Sequence, residues 1–212
     1  NTPVDALRGD GRIEAVAFDE GDETAVDLAI VGVGIRPNTE LLDGTGIELG
    51  DSGAIRTDEF GRTNRPNVYA AGDCATARHT VTGEETWMPL GLTANRSGRA
   101  IGATVGGEET PVGDIAGTAV VKAFEMECGR VGLLDEESAR EAGFDPVQET
   151  VTAGSRSGYY PGNAETDVTL VADRETGKLL GGSIVGSDRA AVRIDTLATA
   201  LDADMTVAEV ER

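Results

Sequence analysis

The spacing of apolar and polar residues changes several times along the chain, and each change marks an element. Residues 12–18, Arg-Ile-Glu-Ala-Val-Ala-Phe, partly alternate after an Asp-Gly turn, which predicts a strand. Gly21-Asp22 turns the chain, and residues 25–33 then form a nearly continuous apolar run, the sign of a strand covered on both faces. That run stops at Gly34, and Pro37-Asn38 marks a loop. Short strands are expected at 54–57 and 68–71, and a helix beginning near Leu92 or Thr93 is closed by Gly106-Gly107. Ala94, Ile101 and Val105 fall on one face of that helix. Residues 113–117 read as a linker, after which the pattern changes. Strands are expected at 119–126, 147–153, 168–172 and 179–185, and helices at 135–142 and 189–201. Residues 173–177 read as a hairpin turn, and Thr206-Val207-Ala208-Glu209 has capping-box spacing. Beyond residue 113 the pattern supports an α+β domain of about 100 residues with an antiparallel sheet.

Composition narrows the setting. The chain has 212 residues, 39% of them apolar, enough for a packed core. No stretch reaches the roughly 18 apolar residues of a membrane helix, and Asn1-Thr2-Pro3-Val4-Asp5 carries no signal-like pattern, so a soluble, cytoplasmic protein with no membrane partner is expected. Acidic residues number 38 against 18 basic ones, a net charge of -20, and Lys122 and Lys178 are the only lysines. Such a field repels a phosphate backbone, which argues against a nucleic-acid partner. The acids are dispersed through segments that read as folded, which suits a high-salt cytoplasm and a halophilic source. Cys74 and Cys128 lack C-x-x-C spacing and support neither a disulfide framework nor a zinc site.

Four constellations carry candidate chemistry. Thr63 and Val68-Tyr69-Ala70-Ala71-Gly72-Asp73 would end an apolar strand on a carboxylate at the carboxyl edge of a sheet, where such sheets bind ligands. Gly72 would let backbone approach a bulky cofactor, and Asp73 would accept a hydrogen bond from a sugar or ribityl hydroxyl. Taken alone, a Gly-Asp pair is also a common turn. Residues 87–95, from Trp87 through Leu90, Gly91, Thr93 and Ala94 to Asn95, lead into a helix whose amino end offers free N–H groups and partial positive charge. Gly32 and Gly34 interrupt the apolar run in Val31-Gly32-Val33-Gly34-Ile35-Arg36-Pro37-Asn38. Arg156-Ser157-Gly158-Tyr159-Tyr160-Pro161-Gly162 places two tyrosines in a loop, either as packing residues or as proton donors. His79, the only histidine, has no partner carboxylate in view, and a catalytic role for it is disfavoured.

The string from Thr63 to Asp73 resembles the second flavin-adenine-dinucleotide fingerprint of the pyridine nucleotide-disulfide oxidoreductase family, and the resemblance covers nearly the whole chain. With His79-Thr80-Val81-Thr82-Gly83, Trp87-Met88-Pro89-Leu90-Gly91, Thr93-Ala94-Asn95 and the Tyr159-Tyr160 loop, it resembles the coenzyme A disulfide reductase and NADH oxidase branch. The resemblance implies FAD and NAD(P)H as cofactors. It implies flavin contacts at Gly72, Asp73, Leu90, Gly91, Thr93 and Ala94, and a nicotinamide border at Gly32 and Gly34. It further implies a homodimer in which Tyr159 or Tyr160 serves the partner's redox cysteine. Asn95 and Arg99 would meet coenzyme A or border the site, an exposed helix face being the other reading. The acceptor would be a small-molecule disulfide, polysulfide or oxygen.

The resemblance implies an α/β plus α+β fold: the end of a nicotinamide domain at 1–36, the later part of a two-dinucleotide-domain flavin fold at 37–112, and an α+β dimerisation domain from 113 to 212. No Gly-x-Gly-x-x-Gly follows an opening strand, and no cysteine stands in the redox context, so the chain reads as a C-terminal fragment, inactive alone. A ferredoxin or rubredoxin reductase of similar architecture and a non-catalytic assembly module remain as alternatives.

Overall fold

The computed structural model describes residues 2–19 and 21–212; Asn1, expected inside a nicotinamide domain, lies outside them. The chain divides into two compact units, 1–36 and 37–212. In the first, β1 (Val4–Arg8), β2 (Ala15–Phe18) and β3 (Glu23–Ala25) form an antiparallel meander in the order β1-β2-β3. Only the later half of the strand expected at 12–18 pairs, and β1 was not anticipated. The doubly covered strand expected at 25–33 does not form: β3 ends at Ala25, and Leu28, Ile30 and Val33 are 75%, 90% and 89% exposed. A strand of that kind needs neighbours on both edges and layers on both faces, and this three-stranded sheet supplies neither.

In the second unit, residues 37–90 are mostly turns joined by single bridges. Ile55 bridges Leu49 and, in parallel sense, Ala75, while Tyr69 bridges Arg62; these replace the strands expected at 54–57 and 68–71. Two short paired segments follow, β4 (Ala77–Arg78) and β5 (Glu85–Thr86). Helix α1 spans Gly91–Val105, as expected, with Gly106 at its carboxyl cap. Its buried stripe is Thr93, Ser97 and Ala100, however, and Val105 is 65% exposed. Residues 113–117 are not a free linker: Ile115 is buried and bridges His79.

The remainder forms an antiparallel sheet of β6 (Ala119–Ala123), β7 (Met126–Gly132), β8 (Pro146–Gly154), β9 (Glu165–Asp173) and β10 (Leu179–Gly186), in the order β6-β7-β10-β9-β8. The single strand expected at 119–126 is two, because Phe124 takes a left-handed φ of 54° in a two-residue turn, a position hairpins usually give to glycine or asparagine. Central strand β10 is buried on both faces, its successive residues pointing opposite ways. Leu179 packs with Val131 and with Ile194, Leu197 and Leu201 of α3 (Ala190–Asp202). Leu180 packs with Val171 and with Ala139 of α2 (Glu136–Glu141). Asp135 caps α2 by accepting from the Ser138 N–H, and the capping box of Thr206 and Glu209 opens α4 (Val207–Val210).

Candidate functional site

The densest set of predicted residues lies where the Gly72–Asp73 turn meets α1. Residues 72–74 make one short 3-10 turn, with Gly72 at a left-handed φ of 83°. A side chain there would be strained by its backbone and would touch Ala94, whose Cβ lies 3.6 Å from the position a Gly72 Cβ would take. The Gly72 N–H donates to Ser97 Oγ at 3.2 Å, and the Trp87 indole donates to the Asp73 carbonyl at 2.8 Å. The Asp73 side chain is exposed. Leu90 is extended (φ -125°, ψ 140°) and hands the chain to α1 at Gly91 with no side-chain cap among the described residues. The first turns of a 15-residue helix, with their free N–H groups, therefore pack against the turn that carries the exposed Asp73. Donors at a helix start and an acceptor next to them suit a ligand with both phosphate or carbonyl oxygens and hydroxyls.

A cleft of about 720 Å³ borders this turn, with Gly72, Thr93, Ser97, Thr76 and Arg78 in its wall. Arg78 donates to Asp114 through two nitrogens at 2.8 and 2.7 Å, and Arg56 grips Glu85 likewise at 2.8 and 3.1 Å. His79 is buried, and its Nδ1 accepts from the Val81 and Thr82 N–H groups, both at 3.3 Å. Burial pushes its imidazole below the ordinary range, against a smaller opposing pull from Asp114. A neutral ring accepting backbone donors is a loop fastener.

The structure thus brings Gly72, Asp73, Leu90, Gly91, Thr93 and Ala94 to one corner. Asn95 and Arg99 lie exposed on the same helix, and Asn95 turns its amide back to donate to the Gly91 carbonyl at 3.0 Å. Gly32 and Gly34 belong to the other unit, in an exposed stretch outside its strands, with Gly34 at φ 88°. Cys74 is half-buried, its thiol donating to the Ala71 carbonyl at 3.4 Å. Sequence reasoning passed over Ser97; its signal is a place one turn after Thr93 on the buried stripe.

Tyr159 and Tyr160 stand apart in the β8–β9 loop, 88% and 57% exposed. Arg156 secures that loop. It donates to Asp188 through Nε and Nη2 at 2.9 and 2.7 Å and to the Pro161 carbonyl at 3.1 Å, with its guanidinium over the Tyr160 ring. Hydrogen bonds from Arg156, then from Ser155, hold the Asp188 carboxyl down to about 2.

The family described as "Pyridine nucleotide-disulphide oxidoreductase" matches residues 1–98, and its dimerisation domain matches residues 118–212. The chain belongs to the pyridine nucleotide-disulphide oxidoreductase family. Among curated members, the "NAD(P)H coenzyme A polysulfide/persulfide reductase" of Pyrococcus horikoshii is 41% identical over 200 residues, 94% of this chain and 44% of that protein. A "Coenzyme A disulfide reductase" of Staphylococcus aureus is 30% identical over 210 residues, 99% of this chain and 46% of that protein. Among solved members, a NAD-dependent persulfide reductase from A. fulgidus superposes with a TM-score of 0.90 at 32% identity, covering 98% of this chain and 38% of that one. The chain spans less than half the length of these relatives, and the fold is the mixed α/β fold of the family with an antiparallel dimerisation-type sheet.

Proposed function

We propose that the chain supplies the later part of the flavin site and the dimerisation domain of an FAD-dependent NAD(P)H oxidoreductase acting on a coenzyme A disulfide, polysulfide or oxygen. The observation that carries the reading is the corner where the exposed Asp73 carboxylate and the uncapped start of α1 meet across Gly72. Its chemistry fits FAD: a carboxylate for a ribityl hydroxyl, and helix N–H groups for the pyrimidine edge. Asp73 and residues 90–94 would hold the flavin, with Gly32 and Gly34 bordering the nicotinamide. The chemistry supplied by bound FAD is acceptance of hydride from NAD(P)H and delivery of electrons to the acceptor.

Residues 1–36, 37–112 and 113–212 are then the end of the nicotinamide domain, the later part of the flavin domain and the dimerisation domain. A homodimer is supported by the dimerisation-domain match and by exposed Val120, Val121, Phe124 and Tyr159. In it, Tyr159 or Tyr160 would donate a proton or hydrogen bond at the partner's cysteine. The names of the curated relatives favour the disulfide and polysulfide acceptors.

The test is purification of the complete gene product containing these residues. We expect one visible-absorbing flavin per chain, a dimer by light scattering, and NAD(P)H oxidation that depends on coenzyme A disulfide, polysulfide or oxygen. A colourless product sinks the reading, whereas flavin turnover only with an iron-sulfur protein would favour a ferredoxin or rubredoxin reductase. The 212-residue polypeptide alone is expected to retain little FAD. Its dispersed acidic surface and two lysines support a halophilic setting, so its melting temperature should rise from low salt to molar KCl. No rise would argue for an ordinary acidic protein.

A further inference from the structure

We infer that Ser97 is a positioning residue for this site, its hydroxyl setting the turn that carries Asp73 against the start of α1. The inference rests on the flavin reading proposed above. A serine inside a helix commonly spends its hydroxyl on the carbonyl one turn back. Thr199 of α3 does so, donating to the Asp195 carbonyl at 2.8 Å and, among the described residues, to nothing outside its helix. Ser97 makes the same bond, to the Thr93 carbonyl at 2.8 Å, but its oxygen keeps lone pairs for a second partner. That partner is the Gly72 N–H at 3.2 Å, 25 residues earlier and in another element. Ser97 is 6% exposed, yet it and Gly72 both border the cleft, so water can satisfy the Gly72 N–H when the hydroxyl is removed and the loss falls on the turn's placement more than on stability.

Gly72 is the place where such a hold matters. At φ 83° it occupies a region open to glycine, and its neighbouring peptides can rotate at little cost. Ser97 fixes the N–H on one side, and the Trp87 indole fixes the Asp73 carbonyl on the other. Within the turn, the Asp73 side chain is left to face solvent. The spacing between the Asp73 carboxylate and the first N–H groups of α1 is thus transmitted through one oxygen. A ligand that must engage both is sensitive to a small misplacement of either.

The test compares wild type, Ser97→Ala, Thr199→Ala, Asp73→Ala and the Ser97→Ala/Asp73→Ala double variant in the complete gene product. FAD is titrated into the apoprotein, with the bound flavin's visible band and the apoprotein melting temperature recorded. Ser97→Ala should weaken FAD binding about tenfold and shift the band, while its apoprotein melts with Thr199→Ala. In the Asp73→Ala background the same change should cost less than about twofold, because Ser97 acts through the turn that presents Asp73. Wild-type FAD affinity in Ser97→Ala, full additivity with Asp73→Ala, or an apoprotein melting far below Thr199→Ala would each overturn the inference. If Ser97→Ala alone behaves like wild type, the flavin reading stands; if wild type takes up no FAD, both fall.

Discussion

Residues 118–212 and residues 37–112 share one compact unit yet hold their chain in different ways. The former close an antiparallel sheet from neighbouring segments and seal it with α2 and α3, burying Val131, Val171, Leu179, Leu180 and Ile194 almost completely. The latter bury small residues, Ala54, Ala70, Ala75 and Ala100, and are stitched by single bridges, side-chain hydrogen bonds and one helix. Antiparallel strands find partners through short turns, whereas parallel ones need strands from distant segments. The bridge between Ile55 and Ala75 is parallel, and it remains a single bridge. A dimerisation-type domain can therefore stabilise itself locally, while a ligand corner of the flavin type is assembled from separate pieces and stays adjustable.

The largest expected effect breaks the sturdier side. Ile194→Ala removes a fully buried side chain and should cost about 2–5 kcal/mol, read from denaturant unfolding. Gly132→Ala should be comparable, because Gly132 sits at φ 66° and a methyl group there would lie 2.3 Å from the Leu180 carbonyl oxygen. The next effect separates the halves by pH. Burial holds the folded pKa of His79 below the ordinary 6.5, so acidification protonates the unfolded chain first. Its contribution is complete above that value and is lost as pH falls below it, and His79→Gln should flatten the dependence of the melting temperature there. Asp188 has a folded pKa of about 2 against 3.8, so its contribution is present above 3.8 and fades only as pH falls toward 2. Limited proteolysis at mild acid should therefore cut near residues 79–90 before the Tyr159-Tyr160 loop, and Arg156→Ala should remove the difference. The smallest effect belongs to the first unit, where Ile30→Ser, at a 90% exposed position, should change stability by less than about 0.5 kcal/mol.

Legibility followed the same division. Strands β8, β9 and β10, helices α2 and α3, and the capping box were readable because their periodicity, caps and turns are local. The Phe124 turn was hidden because a bulky residue stands where glycine is usual. The strand expected at 25–33 was read from an apolar run and those at 54–57 and 68–71 from the turn residues beside them, signals that report a preference for burial or a chain reversal and not the presence of neighbours. At the site, the Gly72–Asp73 turn and the start of α1 stood out in the sequence. Ser97 did not, because a serine on a helix carries no mark of the distant N–H it holds.

The uncovered run from Leu28 to Ile35 has a colloidal consequence. Exposed, apolar and, among the described residues, outside every strand pairing, it offers another copy of this polypeptide an apolar surface. At low ionic strength the net charge of -20 keeps copies apart, but a Debye length of about 8 Å at physiological salt removes that long-range shield. Salt then acts with opposite signs on one polypeptide, relaxing repulsion across the acidic folded surface while admitting apolar association through the first unit.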